Sequence, residues 1–177
     1  MRTLIFTGDG KGKTTAAFGT ALRAAGHGQR VLIVQFLKSN AATGELLAMQ
    51  RLPEVRVAQM GRGFVPAPAH PDFESHRAAA NEALAFSKNA VASHEYDLIV
   101  LDEICGAIAH GLISEDDVLA LLAHPDRAPG GKEETCIVLT GRNASPRLMA
   151  AADTVTEMRC VRHGFQNGIA AQKGVEY

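Results

Sequence analysis

Tryptophan is absent from this sequence of 177 residues, and cysteine occurs only three times. The cysteines, Cys105, Cys136 and Cys160, are widely spaced and form no Cys-x-x-Cys pair, so the simplest interpretation is reduced thiols in a cytoplasmic protein. The seven histidines form no cluster with metal-ligand spacing. No apolar run approaches the roughly 20 residues that span a bilayer, and the first residues do not fit a signal peptide. We therefore expect a cytoplasmic protein with no membrane partner.

An excess of charge of one sign is also missing. The net charge is −1, and the sequence has no long run of lysine and arginine. Nothing in this balance indicates a surface for polyanions, so we expect no nucleic-acid partner. The hydrophobic fraction of 46% and the charged fraction of 21% are typical of a globular protein. The length predicts a single domain over residues 1–177, by the prior of roughly 150 residues a domain.

Strand-like and helix-like segments alternate along the chain. The predicted strands are Thr3–Phe6, Val31–Phe36, Val55–Gln59, Asp97–Asp102, Thr135–Thr140 and, as a last core strand, Thr154–Met158. The predicted helices are Lys13–Gly26, Pro71–Ser93, a helix capped by Ser114 that runs to about Ala123, and Ser145–Ala151. Loops are predicted at Gly61–Pro71, at Arg127–Glu134 and at residues 163–174. The alternation predicts an α/β fold with a mostly parallel central sheet flanked by helices.

A glycine-rich segment lies between the first predicted strand and the first predicted helix. It reads Gly8-Asp9-Gly10-Lys11-Gly12-Lys13-Thr14-Thr15. Strand, glycine loop, Lys-Thr and helix form the layout of a phosphate-binding P-loop. Lys13 can reach phosphate oxygens, and the Thr14 hydroxyl can ligate Mg²⁺. The first glycine of the usual pattern would stand at position 7, which is threonine here, so the loop is atypical. The alternative is a glycine-rich turn that binds nothing.

Two further candidates follow buried strands. Asp102 and Glu103 end the apolar run Leu98–Leu101, as in a Walker B strand. Together with Thr14 they predict a site for Mg²⁺ or Mn²⁺ at the edge of the sheet where ligands bind. Arg142 follows the next strong strand, and its guanidinium could bind phosphate. The alternatives are a strand that ends in solvated acids and a surface arginine.

Together these features resemble the ATP-dependent corrinoid (cob(I)alamin) adenosyltransferases of cobalamin synthesis and salvage, in which the offset P-loop is itself a hallmark. The matching segments are Phe6–Thr20, Gly26–Gly28, Val34–Lys38, Gly44–Glu45, Gly63–Phe64, Leu101–Glu103, Leu139–Arg142, Ala152–Met158, Arg162–His163 and Gly168–Tyr177. The resemblance covers almost the whole chain. It implies a P-loop NTPase core of the RecA-like type.

The resemblance also implies the reaction. In this family Co(I) of a reduced corrinoid attacks C5′ of ATP, which lies in the P-loop in reversed orientation, and triphosphate leaves. Lys11, Lys13, the backbone N–H groups and Mg²⁺ would neutralise the leaving group. On this basis Lys13 and Glu103 are the expected catalytic residues, and residues 8–15 with Arg142 are expected to bind ATP. The expected partners are a flavoprotein-type reductant that supplies Co(I) and a second copy of the chain in a homodimer.

The chain departs from the family pattern in two places. Family members often carry an N-terminal helical extension that covers the corrinoid, and here almost nothing precedes the first strand. They also often carry a second aromatic residue two places after the phenylalanine that matches Phe64, where this chain has Pro66. These aromatics displace the lower axial ligand of cobalt, so Phe64 is the expected corrinoid contact. The alternative for Phe64 is a loop residue tucked into the core.

Two other functions fit the motifs. A P-loop phosphotransferase for a small metabolite would use the same Lys13, Thr14 and Asp102 but release ADP. A non-catalytic ATP-binding module that regulates a partner would need no corrinoid site.

Overall fold

A computed structural model describes residues 1–40, 42–123 and 135–175. Its centre is a six-stranded sheet in the order β3-β2-β4-β5-β1-β6, with every described pair of strands parallel. The strands are β1 (Arg2–Thr7), β2 (Val31–Gln35), β3 (Val55–Gln59), β4 (Leu98–Asp102), β5 (Cys136–Thr140) and β6 (Thr154–Glu157). The helices are α1 (Lys13–Gly26), α2 (Gly44–Met49), α3 (Phe73–Ser93), α4 (Ile104–Ala109), α5 (Glu115–Leu122) and α6 (Pro146–Ala150), and Gly164–Asn167 form a 3-10 turn.

Both faces of the sheet are covered, which explains why the central strands read as continuous apolar runs. Every residue of β2 and of β4 is buried. Because side chains alternate across a strand, neighbouring residues enter different cores. Ile33 and Val100 pack in a core with α1 and α2, whereas Leu32 and Ile99 pack in a core with α3, α4, α5 and α6. Burial of each such side chain stabilises the fold by about 1.5–3 kcal/mol.

The predicted α/β class with a P-loop core is confirmed, and two elements have the bounds that the sequence predicts, α1 and β3. Most others differ by a residue or two at an end. The helix α3 begins at Phe73 rather than at Pro71, with Asp72 as its N-cap. No bounds were predicted for α2 or α4. Each has six residues, too few for a periodic pattern to stand out. The predicted loop Arg127–Glu134 lies outside the described residues.

The last strand corrects one prediction. Residues Thr154–Glu157 form a strand, but it is not a core strand, because all of them are exposed. The strand β6 pairs with β1 and ends the order of the sheet. Within the described residues this edge strand has no second neighbouring strand, and its side chains stay exposed on both faces.

All six strands point the same way, so the segments that follow them emerge at one edge of the sheet. This edge carries the glycine loop after β1, Lys38 after β2, Asp102 at the end of β4 and Arg142 after β5. Ligands of open α/β sheets bind at this carboxyl edge. Among the described residues, no helix has the length and apolar character needed to cross a membrane.

Candidate functional site

The glycine loop is shaped by close backbone packing against the residue after β6. Gly8 has φ of 98° and Gly12 has φ of 105°, a region that favours glycine. The Gly10 N–H donates to the Met158 carbonyl at 2.7 Å, and the Met158 N–H donates to the Thr7 carbonyl at 2.8 Å. A Cβ at Gly8 or at Gly10 would lie 2.5 or 2.7 Å from the Met158 oxygen. Glycine is therefore required at positions 8 and 10, where the backbone passes against Met158.

The start of α1 offers donors to an anion. Its N-cap is Gly12, and no side chain in the described ranges caps the first N–H groups. The Lys13 side chain is buried in the loop, where Nζ donates to the Gly10 carbonyl at 2.6 Å. Burial, reinforced by the charge of Arg142, lowers the pKa of Lys13 below its usual value. Glu103 and Asp9 oppose this shift, and an anion in the loop would add to their negative charge.

Asp102 is fully buried and collects several donors. Oδ1 accepts from the Thr14 and Thr140 hydroxyls, each at 2.8 Å. Oδ2 accepts from Gln35 Nε2 at 3.0 Å and pairs with Lys38 Nζ at 3.1 Å. The carboxylate thus joins residues from the ends of three strands and the start of α1. Hydrogen bonds and the Lys38 ammonium thus partner the oxygens of this buried side chain.

Glu103 turns sharply away from β4. It has φ of 64°, acts as the N-cap of α4, and donates its N–H to Thr140 Oγ1 at 2.9 Å. Its Oε2 lies over Gly106, where a Cβ would approach within 3.1 Å. Burial raises the pKa of Glu103, and the charge of Asp102 adds to the effect, while Lys38 and other cations oppose it. The strained backbone places this carboxylate beside Asp102 instead of in solvent.

Arg142 joins this cluster from the end of β5. The side chain is exposed, and its charge acts on both Lys13 and Glu103. Gly141 before it has φ of 136° and packs so tightly on α4 that a Cβ would lie 2.8 Å from the Gly106 nitrogen. The close packing of Gly141 on α4 thus fixes the backbone from which the Arg142 side chain extends. Arg142 stays a prediction as an ATP contact.

The outer residues of the glycine loop face solvent. Asp9, Lys11 and Thr15 are exposed, and Lys11 borders a cavity of about 500 Å³ that is also lined by Arg159 and Phe165. That Asp9, Lys11 and Thr15 contact ATP stays a prediction.

Phe64 lies on the loop that follows β3, and 95% of its surface is exposed. The alternative of a phenylalanine tucked into the core is therefore wrong. This loop is tied to the segment after β2, since the Gly63 N–H donates to the Leu37 carbonyl at 2.7 Å. The structure brings Lys13, Thr14, Asp102, Glu103 and Arg142 together, whereas Phe64 stands on the adjoining loop.

Sequence reasoning missed several residues of this site. Gln35 and Lys38 bind Asp102 from the end of β2, Thr140 from the end of β5, and Met158 supports the glycine loop. One signal was available for two of them. Gln35 and Thr140 are polar residues at the carboxyl ends of otherwise apolar strands. Polar groups at such buried positions need partners.

The oxygen donors suit a hard divalent cation. Thr14, Asp102 and Glu103 supply one hydroxyl and two carboxylates, the donor types that Mg²⁺ takes in phosphate sites. In the described part of the chain, no group of three or more His, Cys, Asp and Glu side chains is placed to hold a metal. A metal at Thr14 and Asp102 would therefore depend on phosphate oxygens for further ligands, as Mg²⁺ commonly does.

The chain is similar to named proteins along almost its whole length. A corrinoid adenosyltransferase from Pseudomonas aeruginosa is 43% identical over 176 residues, which cover 98% of this chain and 82% of that protein. Corrinoid adenosyltransferases of Escherichia coli and Salmonella typhimurium are each 37% identical over 175 residues, covering 98% of this chain and 84% of theirs. The flagellar accessory protein FlaH of Methanocaldococcus jannaschii shares the fold, with a TM-score of 0.50 at 13% identity over 88% of this chain and 69% of FlaH. The model of the ATP:corrinoid adenosyltransferase family BtuR/CobO/CobP matches residues 2–177, and the chain belongs to that family.

Proposed function

We propose that this protein transfers the 5′-deoxyadenosyl group of ATP to Co(I) of a reduced corrinoid and releases triphosphate, as a step of cobalamin biosynthesis or salvage. The observation that carries the proposal is the arrangement around the offset glycine loop. An uncapped helix start, a buried lysine and the Thr14–Asp102 pair lie together in a chain that matches this family over residues 2–177.

The glycine loop and its cations are proposed to bind the triphosphate. The residues are Gly8, Asp9, Gly10, Lys11, Gly12, Lys13, Thr14, Thr15 and Arg142. All three phosphates leave together in this reaction, so the site must neutralise a polyanion and need not position a water molecule. Lys13 would exchange the Gly10 carbonyl for a phosphate oxygen, and N–H groups of the loop and helix would donate to others. Such fixed donors stabilise the negative charge that develops on the leaving triphosphate. Electrostatic stabilisation of this kind is commonly the largest single contribution to catalysis.

Thr14, Asp102 and Glu103 are proposed to hold Mg²⁺, or Mn²⁺ in its place. When bound, the metal supplies positive charge to the departing triphosphate. Asp102 is already held by hydroxyl and amide donors, so its oxygens are oriented before any ligand arrives. The raised pKa of Glu103 indicates a carboxylate that a nearby cation would stabilise in its ionised form.

Phe64 is proposed to contact the corrinoid. The cobalt must approach C5′ opposite the departing oxygen, which puts the corrin above the carboxyl edge of the sheet. The loop after β3 adjoins that edge, and its phenylalanine is almost fully exposed. An apolar ring without a core role can pack on the lower face of the corrin and favour loss of the axial ligand. No side chain needs to deprotonate the nucleophile, because Co(I) has no proton to lose.

Further parts of the proposal rest on the family resemblance. They are a single catalytic domain over residues 1–177, a homodimer, a flavoprotein-type reductant that supplies Co(I), and a cytoplasmic location. The cytoplasmic location also accords with the free thiols of Cys105, Cys136 and Cys160.

One assay separates this function from the two alternatives. The protein is incubated with ATP, Mg²⁺ and a chemically reduced corrinoid, and the products are the cobalt–carbon species and triphosphate. ADP in place of triphosphate would indicate a phosphotransferase. ATP binding without any product would indicate a regulatory module. A parallel reaction without the chemical reductant controls for the need for Co(I).

A further inference from the structure

The ammonium of Lys38 lies between two proposed metal ligands. Its Nζ is 3.1 Å from Asp102 Oδ2 and 3.2 Å from Thr14 Oγ1, and Thr14 Oγ1 is itself 2.8 Å from Asp102 Oδ1. A positive charge that contacts both oxygens stands where a divalent cation would bind them. Neither the family match nor the sequence motifs assign a role to this lysine.

The buried carboxylate needs this charge. Asp102 has no exposed surface, and its other hydrogen-bond partners, Thr14, Thr140 and Gln35, are neutral groups. A buried carboxylate is stable when it is both hydrogen-bonded and paired with a cation. Lys38 provides the pairing, and its side chain keeps 29% exposure, so its stem has a path toward solvent.

We propose that Lys38 is the resident counter-ion of Asp102 and that it gives up this position when a divalent metal enters with ATP. The inference rests on the metal site of the proposed function. An ammonium and a divalent cation repel each other strongly at such short range in a buried site, so the two do not share it. Lys38 then turns toward the triphosphate, and Asp102 is never left without a positive partner.

Release of Lys38 is transmitted to the loop that carries Phe64. The Leu37 carbonyl, next to Lys38, accepts from the Gly63 N–H at 2.7 Å, and the Gln35 carbonyl accepts from the Gly61 N–H at 3.1 Å. Gly61 packs so closely that a Cβ would lie 2.2 Å from the Leu37 carbonyl carbon. The segment after β2 and the loop after β3 should therefore move together, because tightly packed segments shift as a unit between discrete arrangements. Lys38 is therefore a positioning residue that links metal occupancy to the proposed corrinoid loop.

The first test measures metal binding without nucleotide. Mn²⁺ is titrated into the protein, and the free ion is followed by electron paramagnetic resonance. We expect Lys38→Gln to bind Mn²⁺ on the order of tenfold more tightly than the wild type, because a competing charge is gone. Lys88→Gln is the matched control, since Lys88 pairs with Asp117 at 2.8 Å on the helices α3 and α5, and its affinity should equal that of the wild type. Lys38→Met is a second neutral variant and should behave as Lys38→Gln does.

The second test uses the lack of tryptophan in the chain. Phe64→Trp introduces a single tryptophan on the loop, which is excited selectively over the two tyrosines. Mg²⁺–ATP is added to this variant with Lys38 present or replaced by Gln. We expect an emission shift on addition of Mg²⁺–ATP when Lys38 is present. The shift should fall by at least about half in the double variant, in which no tethered lysine remains to be released.

Each failure has a distinct meaning. Equal Mn²⁺ affinity of the wild type and both folded Lys38 variants would overturn the inference, as would an identical emission shift in both backgrounds. Asp102→Asn should abolish nucleotide-free Mn²⁺ binding in the Lys38→Gln background. If Mn²⁺ binding persists there, the metal site of the proposed function is wrong, and the inference about Lys38 is overturned with it.

Discussion

The hydroxyl of Thr14 donates a 2.8 Å hydrogen bond to Oδ1 of Asp102 across a sequence separation of 88 residues. It links the first turn of α1 to the end of β4, and Thr140 at the end of the neighbouring strand β5 binds the same oxygen. The two groups proposed to share a metal are thus in contact before any ligand binds. Such preorganisation avoids the cost of reorienting dipoles during the reaction.

The first prediction concerns Lys13. Lys13→Ala should lose on the order of 10²-fold or more of adenosyl transfer, because it removes a fixed charge from the leaving-group site. Initial rates with pre-formed Co(I) corrinoid and saturating ATP give the measurement. Lys88→Ala removes the same charge at an exposed ion pair and should keep full activity. Near-wild-type turnover of a folded Lys13→Ala protein would contradict the proposed phosphate site.

The second prediction concerns the metal ligands. Glu103→Gln should raise the Mg²⁺ concentration needed for half-maximal activity, and it should change ATP binding in EDTA far less, because the carboxylate acts on the metal. Asp102→Asn should show the same pattern. Activity titrations with Mg²⁺ and calorimetry in EDTA provide the two readouts. An unchanged metal requirement in both variants would remove these residues from the site.

The third prediction concerns Phe64. Phe64→Ala should impair turnover when Co(II) corrinoid and a weak reductant are supplied, because the aromatic ring is proposed to make reduction feasible. Turnover with pre-formed Co(I) should fall far less. Comparing the two rates in one preparation isolates the effect. Equal losses would assign Phe64 to general packing, and no loss in either assay would exclude it from the site.

The fourth prediction concerns the shape of the glycine loop. Gly10→Ala should weaken ATP binding and lower the free energy of unfolding, because its Cβ would meet the Met158 carbonyl oxygen at 2.7 Å. Gly19→Ala is the matched control. Apart from its chain neighbours and the nearby backbone of α1, no described atom lies within 4 Å of a Cβ at Gly19, so this variant should gain about 0.5–1 kcal/mol of stability. Equal melting temperatures and ATP affinities for the two variants would show that Met158 does not constrain the loop.

The fifth prediction concerns pH. Burial raises the pKa of Glu103 above 4.5, so between that value and the raised pKa the folded protein binds more protons than the unfolded chain. The free energy of unfolding should therefore fall as pH rises through this window. Glu103→Gln cannot ionise, so its unfolding free energy should fall less over the same range. Chemical denaturation at several pH values gives the difference, and parallel pH profiles of the two proteins would refute the shift.

The bounds of an element could be predicted from the sequence where residues close to its ends determine them. The helix α1 has its predicted bounds, because a glycine loop precedes it and glycines stand at its end. The apolar run Leu98–Leu101 and the acid after it predicted β4, and parallel topology then predicted that the carboxylate meets the glycine loop. The edge position of β6 was missed, because exposure depends on how many neighbours a strand has, and four residues of sequence do not record that.

The pairings within the site were decided by the tertiary structure alone. Lys38 reads as an ordinary polar residue after a strand, and nothing near it in sequence indicates the Asp102 carboxylate that it neutralises. The support of Gly10 by Met158 likewise depends on the neighbouring places of β1 and β6 in the sheet. The physical reason is that a motif records the backbone conformation and the chemistry a segment can offer. The partner of a buried charge is selected by register and distance, which exist only after distant strands have packed.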